Sequence, residues 1–371
     1  MPDTRNALHV LVVGGTGFIG AHVVRRLVEQ GLRVTVFHRG RTQAGFPNEV
    51  AHSVARSVAH GVAHSVAHIR GERKALGDFS NEFKLIAPEV VVDIVPYTAR
   101  DALTLMQTFK GIARRVVAIS SMDVYDVYDG LRGVGDSPPN PAPITEDSPL
   151  RKNLYPCRHQ AKTPDDWLYD YDKIPIEQAV MNHTEIAGTV LRLPFVYGPG
   201  DGGHRTLDYL RRIDDRRPAI LLGEVQARWR STRGYVENVA DAIALATINE
   251  KAAGRIYNVG EPEALTEEQW VGCIGQAAGW GGQVVTVPDE QMPDHLRTRF
   301  NWHYQYSADT GLMREELNYK ESISRSEALR RTVEWERLNP PAEVDLARFN
   351  YEAEDSVLKM KQRSGEAAGQ D

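Results

Sequence analysis

Leu8-His9-Val10-Leu11-Val12-Val13-Gly14-Gly15-Thr16-Gly17-Phe18-Ile19-Gly20 is the stretch that decides the fold of this chain. An apolar, β-branched run stops at glycine, and the residues beyond Gly17 switch to helical spacing at Ile19, Val23, Val24 and Leu27, closed by Gly31. Strand, tight turn and helix follow in that order. Arg33 to Phe37 then reads as a second strand, completing a βαβ unit whose parallel strands require a right-handed helical crossover. The glycines fall at Gly14-x-x-Gly17-x-x-Gly20. Gly14 and Gly17 let the backbone turn and approach a pyrophosphate, and Gly20 lets the helix pack close on the sheet. Thr16, Phe18 and Ile19 belong to the turn and first helical residues, where unpaired N–H groups can meet phosphate oxygens. A dinucleotide site is expected here.

An acidic residue at the end of the second strand would hold the ribose 2′-hydroxyl of NAD, yet this strand ends Phe37-His38-Arg39-Gly40-Arg41. Arg39 and Arg41, with His38, suit a 2′-phosphate through charge-assisted hydrogen bonds. NADP is therefore expected in preference to NAD.

Further βα pairs follow. Val90 to Val95 and Arg115 to Ile119 are apolar runs of the kind buried on both faces of a parallel sheet, with a helical pattern from Arg100 to Lys110 between them. A helix is expected from about Trp167 to Thr184 and another strand at Thr189 to Leu193. The fold class is α/β, a doubly wound parallel sheet over residues 1–193 with a smaller substrate-binding region over 194–360 intertwined with it, and a disordered tail at 361–371. Two segments interrupt the pattern. Residues 50–68 repeat Val-Ala-His with a four-residue period, read as a duplicated surface linker before a third strand at Ala67 to Arg70. His60, His64 and His68 come with that repeat, so no metal site is expected from them. Residues 126–164, rich in Pro, Gly and Asp, read as a long irregular segment shaping a substrate lid.

Composition narrows the function classes. With 371 residues, 42% hydrophobic and 25% charged, the chain can bury a large core without staples. A net charge of −6 repels a phosphate backbone, so nucleic acid is not the expected partner. Two cysteines, Cys157 and Cys273, give neither a disulfide framework nor a zinc spacing. The polar start and the lack of a long apolar stretch predict a cytoplasmic protein that engages no membrane.

Tyr169 and Lys173 lie four apart on the expected helix, so both would face one cleft, where a cation beside a phenol lowers its pKa and equips it for proton transfer. Ser121 offers a hydroxyl to orient the same substrate oxygen. Pro175, two residues past Lys173, would kink a helix there, and Tyr171 or Tyr155 stands close enough in sequence to take the tyrosine's place.

Gly14 to Gly20, Ser120-Ser121-Met122-Asp123-Val124-Tyr125, Tyr169-x-x-x-Lys173 and Leu191-Arg192-Leu193-Pro194-Phe195-Val196-Tyr197-Gly198 occur in this order, and together they resemble the NAD-dependent epimerase/dehydratase family of extended short-chain dehydrogenase/reductases. The resemblance implies a Rossmann fold and an oxidoreductase or epimerase acting on a hydroxyl or carbonyl carbon, with a nucleotide sugar as first candidate substrate. It implies Tyr169 as acid/base, Lys173 as pKa perturber and nicotinamide-ribose ligand, and Ser121 as substrate aligner. Ser120, Glu72 and Pro194 join the cofactor set. Asp123 sits where dehydratases of the family carry an acid, and Arg192, Tyr197, His204 and Arg233 join it as substrate residues, Arg233 in an Arg-x-aromatic-Val stretch whose arginine meets phosphate. Asp93 stands where many members have His. A homodimer is the family's habit. The alternatives are an NADPH-dependent carbonyl reductase of a small metabolite and, outside enzymes, a stem-loop RNA-binding protein of the same fold, against which the intact Ser121, Tyr169 and Lys173 set argues.

Overall fold

The computed structural model describes residues 7–42, 44, 46, 66–135, 138–139 and 143–368. Among the described residues eleven strands are formed: β1 His9–Val13, β2 Arg33–His38, β3 Val66–Arg70, β4 Val90–Asp93, β5 Arg115–Ser121, β6 Ala187–Leu193, β7 Phe195–Tyr197, β8 Ala219–Gly223, β9 Arg233–Tyr235, β10 Arg255–Asn258 and β11 Gln283–Val287. Seven of them make one sheet in the order β10-β6-β5-β4-β1-β2-β3, every neighbouring pair parallel. This is the doubly wound order, with its switch between β1 and β4, and ligands in such sheets bind outside the carboxyl ends of the strands at that switch.

Alternation along the strands explains why both faces are covered. Val10, Val12, Val34, Val36, Val117 and Ile119 enter one buried cluster, whereas Leu11, Val13, Phe37, Val91, Val116 and Ala118 enter the other. Helix α1, Phe18–Glu29, packs on the first face beside α4, Val236–Ile248, and helices α2, Ala99–Phe109, and α3, Lys173–Met181, pack on the second. A sheet buried on both faces has no polar side to offer, so its strands read as near-continuous apolar runs.

The C-terminal region is intertwined with the sheet through β10, which pairs with β6. Beyond it lie α5, Glu267–Ala278, α6, Arg325–Leu338, and α7, Tyr351–Ala368. The last helix runs well into the segment expected to be disordered. Glu354 ties it to the body by accepting from Arg212 at 2.7 Å, and its Ala, Glu, Lys and Gln content favours helix.

The expected helix over 167–184 is shorter at its start. It begins at Lys173, with Asp172 as N-cap accepting from Ile174 N at 3.0 Å. Pro175 gives the reason. A helix begun at Trp167 would place the ring against the Tyr171 carbonyl and lose that backbone bond, while in a first turn the missing N–H is one that has no partner anyway.

Residues 126–164 are less irregular than expected where they are described. A short helix, Asp126–Leu131, and the bridges Tyr125↔Leu150 and Ile144↔Ala308 anchor the segment, and Val127, Leu131 and Ile144 join Trp229, Tyr304 and Tyr306 in a third buried cluster. Most of the Val-Ala-His repeat, including His60 and His64, lies outside the described residues. Its end enters β3, so His68 is on a strand. Among the described residues no helix is long and apolar enough to cross a membrane, and no group of three His, Cys, Asp or Glu is placed to hold a metal.

Candidate functional site

The three turn glycines do different work. Gly14 has φ +85°, and a Cβ there would lie 2.7 Å from Val95 Cγ2. At Gly20 a Cβ would lie 2.3 Å from the Gly14 carbonyl oxygen, so this glycine sets the closeness of α1 to the turn. A Cβ on Gly17 would meet only that same oxygen, at 3.9 Å. Packing leaves Gly17 unconstrained, with room for a ligand's backbone-side approach. Gly17 is also the N-cap of α1 and makes no side-chain cap, and the first turn, with Phe18 and Ile19, carries no acid. Its N–H groups thus present positive potential to an anion. Thr16 is half-buried in the same turn. These features fit a dinucleotide. The loop after β7 closes over α1, with His22 Nε2 3.1 Å from the Pro199 carbonyl oxygen.

At the end of β2, Gly40 N donates to His38 Nδ1 at 3.3 Å, which puts the ring proton on Nε2, 3.0 Å from His68 Nδ1. His38 is therefore tied to β3. Arg41 pairs with Glu72 at 3.1 Å, both exposed, and Arg39 beside Arg41 in the chain is exposed as well, with no ion pair among the described residues. An exposed pair of this kind contributes little and yields readily to a stronger anion.

At the other end of the cleft, β5 delivers Ser121 and the turn after it delivers Asp123. Ser121 Oγ accepts from Asp123 N at 3.2 Å. Tyr171 donates to Asp123 Oδ2 at 3.1 Å, and Asp123 Oδ1 is buried with no partner among the described residues, an acceptor left open. Lys173 donates to the carbonyls of Pro96 at 2.7 Å and Ile119 at 3.1 Å, with Nζ 5.8 Å from the centre of the Tyr171 ring. Val95, which closes on Gly14, adjoins Pro96, so this cluster and the glycine turn are walls of one cleft.

Burial dominates the electrostatics. It draws the Lys173 ammonium down to about 8 against the pull of Asp123 and Asp93. It pushes the Asp123 carboxyl up, with Arg151 and Lys173 opposing, and it pushes the Tyr171 phenol well above its ordinary value, with Asp123 adding to the rise. Asp93, at the end of β4, is likewise raised by burial and restrained by Arg73, which donates to it at 2.6 Å.

Tyr169 is not among these groups. It sits in the turn before α3, its ring 4.5 Å from the Arg158 guanidinium and its carbonyl accepting from Arg158 Nε at 2.9 Å. Tyr155 is engaged by the same Arg158, 4.0 Å over its ring. With the helix starting at Lys173, the four-residue spacing no longer makes a common face, and Tyr171 is the tyrosine brought to Lys173 and Asp123.

Several expected ligands are held elsewhere. Ser120 donates to Glu177 at 2.5 Å, and Glu177 also takes Arg192 through two bonds of 3.0 and 2.8 Å. Arg192 further donates to the Tyr125 hydroxyl and the Glu146 carbonyl, both at 2.8 Å. Tyr197 donates to Glu261 at 2.8 Å, His204 Nδ1 lies 2.6 Å from Glu336, and Arg233 is ion-paired with Glu267 and stacked 4.4 Å over Trp270. Pro194 packs toward Gly234 and Gly260. Ser120, Arg192, Tyr197 and Arg233 are buried and His204 is half-buried, each with its partner supplied by the protein. Glu177 was not singled out in the sequence, although its spacing of four from Lys173 puts both on one helical face. Arg151 and Asp172, joined at 2.5 Å, also escaped notice, and no local signal links residues so far apart.

A model of the NAD dependent epimerase/dehydratase family matches residues 10–260. The chain is 23% identical over 350 residues to a UDP-N-acetyl-alpha-D-glucosaminuronate decarboxylase of Bacillus cytotoxicus, covering 88% of this chain and 97% of that one. It is 24% identical over 299 residues to a 2′-dehydrokanamycin reductase of Streptomyces kanamyceticus, covering 78% and 72%. Among solved structures, a dTDP-glucose 4,6-dehydratase of Bacillus anthracis in complex with NAD superposes with a TM-score of 0.62 at 18% identity, covering 90% of this chain and 97% of that one. At that identity the likeness is one of fold.

Proposed function

The chain belongs to the NAD dependent epimerase/dehydratase family, and from that membership we propose that it catalyses NAD(P)-linked oxidation or reduction at a hydroxyl- or carbonyl-bearing carbon, with NADP favoured over NAD. The observation that carries the reading is the convergence of Ser121, Asp123, Tyr171 and Lys173 beside the Gly14–Gly20 turn. The turn and the α1 N-terminus would hold the pyrophosphate, Arg39 the 2′-phosphate, and Lys173 the nicotinamide ribose. The bound nicotinamide supplies hydride acceptance or donation.

The protein's own groups handle the proton. Ser121 Oγ orients the substrate hydroxyl. In the oxidising direction that hydroxyl's proton passes to Tyr171 Oη as the phenol's proton passes to Asp123 Oδ2, and the carbinol C–H leaves as hydride. Burial strengthens the hold of both the carboxyl and the phenol on a proton, and their hydrogen bond gives the proton a path between them. Tyr171 thus takes the role expected of Tyr169. A ring carbinol, as in the sugars named for the relatives, suits this chemistry, and the 2′-dehydrokanamycin reductase likeness supports ketone reduction without a nucleotide as a second reading. The RNA-binding alternative is disfavoured by the ion pairing of Arg151, Arg192, Arg212 and Arg233.

The test is calorimetric titration with NADPH and NADH, then ketone reduction by wild type, Tyr171→Phe and Tyr169→Phe. Tighter NADPH binding that Arg39→Ala weakens, with activity lost only in Tyr171→Phe, is expected; loss in Tyr169→Phe alone would return the role to that residue.

A further inference from the structure

Arg192 and Arg233, the arginines that the sequence offers to a negatively charged substrate, are both neutralised from within. Arg192 and Glu177 are 3% and 6% exposed, and Arg233 and Glu267 are 9% exposed each. The carboxylates are fixed by further donors: Ser120 on Glu177 at 2.5 Å, Tyr209 on Glu267 at 2.5 Å, and Thr206 with His204 on Glu336. Arg151 meets Asp172 in the same way. An arginine that swung out to a diphosphate would leave a buried carboxylate unpaired, which is strongly unfavourable.

What the cleft does expose is aromatic. Tyr97 follows β4 with its ring 5.7 Å from Lys173 Nζ, and Trp167, 50% exposed, packs against it at 4.9 Å and edge-on to Tyr171 at 5.7 Å. On the side of Asp123 the half-buried Tyr128 lies 6.1 Å from Tyr306, which is itself buried and backs that wall from within. Flat apolar faces beside a proton relay recognise rings by stacking.

We propose that the substrate of this site carries no nucleoside diphosphate: it is an uncharged ring-bearing alcohol or ketone gripped by the Tyr97–Trp167 wall, and Glu267 is the specificity-determining residue that closes Arg233 to phosphate. This rests on the oxidoreductase reading above and narrows its substrate.

The experiment is calorimetry on the cofactor-loaded protein with two probes that share a glucose, UDP-glucose and 4-nitrophenyl β-D-glucopyranoside. The neutral glucoside should bind about tenfold or more tightly than UDP-glucose, and Trp167→Ala should cut its affinity roughly fivefold. Glu267→Gln, which keeps the side chain's shape and one acceptor oxygen while freeing the Arg233 charge, should raise UDP-glucose affinity about tenfold without altering cofactor binding. Tighter binding of UDP-glucose to wild type, or no measurable binding of the glucoside, overturns the proposal. If Glu267→Gln does not fold, the order of the two probes on wild type decides alone. Cofactor binding is read in the preceding titration, so a protein that takes neither NADP nor NAD fails the underlying reading and is recognised as doing so.

Discussion

Removing the charge of Asp172 should loosen the whole reaction end of the cleft, and the size of the effect follows from its contacts. Asp172 accepts from Arg151 Nη2 at 2.5 Å and Nη1 at 3.2 Å, from Tyr155 N at 2.7 Å, and from Ile174 N at 3.0 Å as the N-cap of α3. Arg151 and Asp172 are 0% and 1% exposed, so a variant lacking the carboxylate leaves a guanidinium buried and uncompensated. Breaking such a pair costs about 3–5 kcal/mol, and losing a helix cap costs about 1 kcal/mol more. Asp172→Asn keeps an oxygen for the cap and should lose about 3 kcal/mol, whereas Asp172→Ala should lose about 4 kcal/mol. Urea unfolding followed by tryptophan fluorescence measures both. Because Arg151 also donates to the Asp123 carbonyl at 2.8 Å, the two variants should lose catalytic rate even where they remain folded. The double variant Arg151→Met, Asp172→Leu should recover most of the stability, since no charge is then stranded. An Asp172→Asn protein within about 1 kcal/mol of wild type would refute the argument that this pair is desolvated and holds the site.

Two further outcomes separate fold from function. Gly17→Ala should leave the unfolding midpoint unchanged and weaken dinucleotide binding, because its Cβ meets nothing closer than 3.9 Å, while Gly20→Ala should damage both, its Cβ falling 2.3 Å from the Gly14 oxygen; equal stability losses in the pair would show that packing, not ligand space, fixes both glycines. The affinity for cofactor should fall as pH rises through about 8, where the buried Lys173 loses its proton; the sign in stability is opposite, since the unfolded lysine holds its proton to about 10.4 and folding therefore gains between about 8 and that pH. A flat affinity profile from pH 7 to 9.5 would show that the ammonium does not take part.

The parts of this molecule that were legible from sequence are those in which neighbouring residues carry the whole cause. The glycine turn and the apolar runs of β1, β2 and β5 each act through local geometry, and the turn and strands stand where they were expected. The two faces of the sheet could be read because its strands are apolar on both sides. The position of α3 was half legible: Pro175 already forbids a helix through Tyr171, and that constraint, weighed ahead of the Tyr-x-x-x-Lys spacing, puts the N-cap at Asp172 and the helix start at Lys173.

The substrate-side arginines were not legible, for a physical reason. Whether Arg192 or Arg233 is a ligand or a strut depends on a carboxylate brought to it by the fold, Glu177 from α3 in one case and Glu267 from α5 in the other. A motif records that an arginine is present; it does not record that the counter-charge arrives from a separate helix. The same holds for Asp123, whose hydrogen bond from Tyr171 joins residues 48 positions apart. In a family whose scaffold is constant, the chemistry at the end of β5 is therefore set by which buried charges are left open. Here the open acceptor is Asp123 Oδ1, beside an exposed aromatic wall, and the closed donors are the arginines that a diphosphate would need.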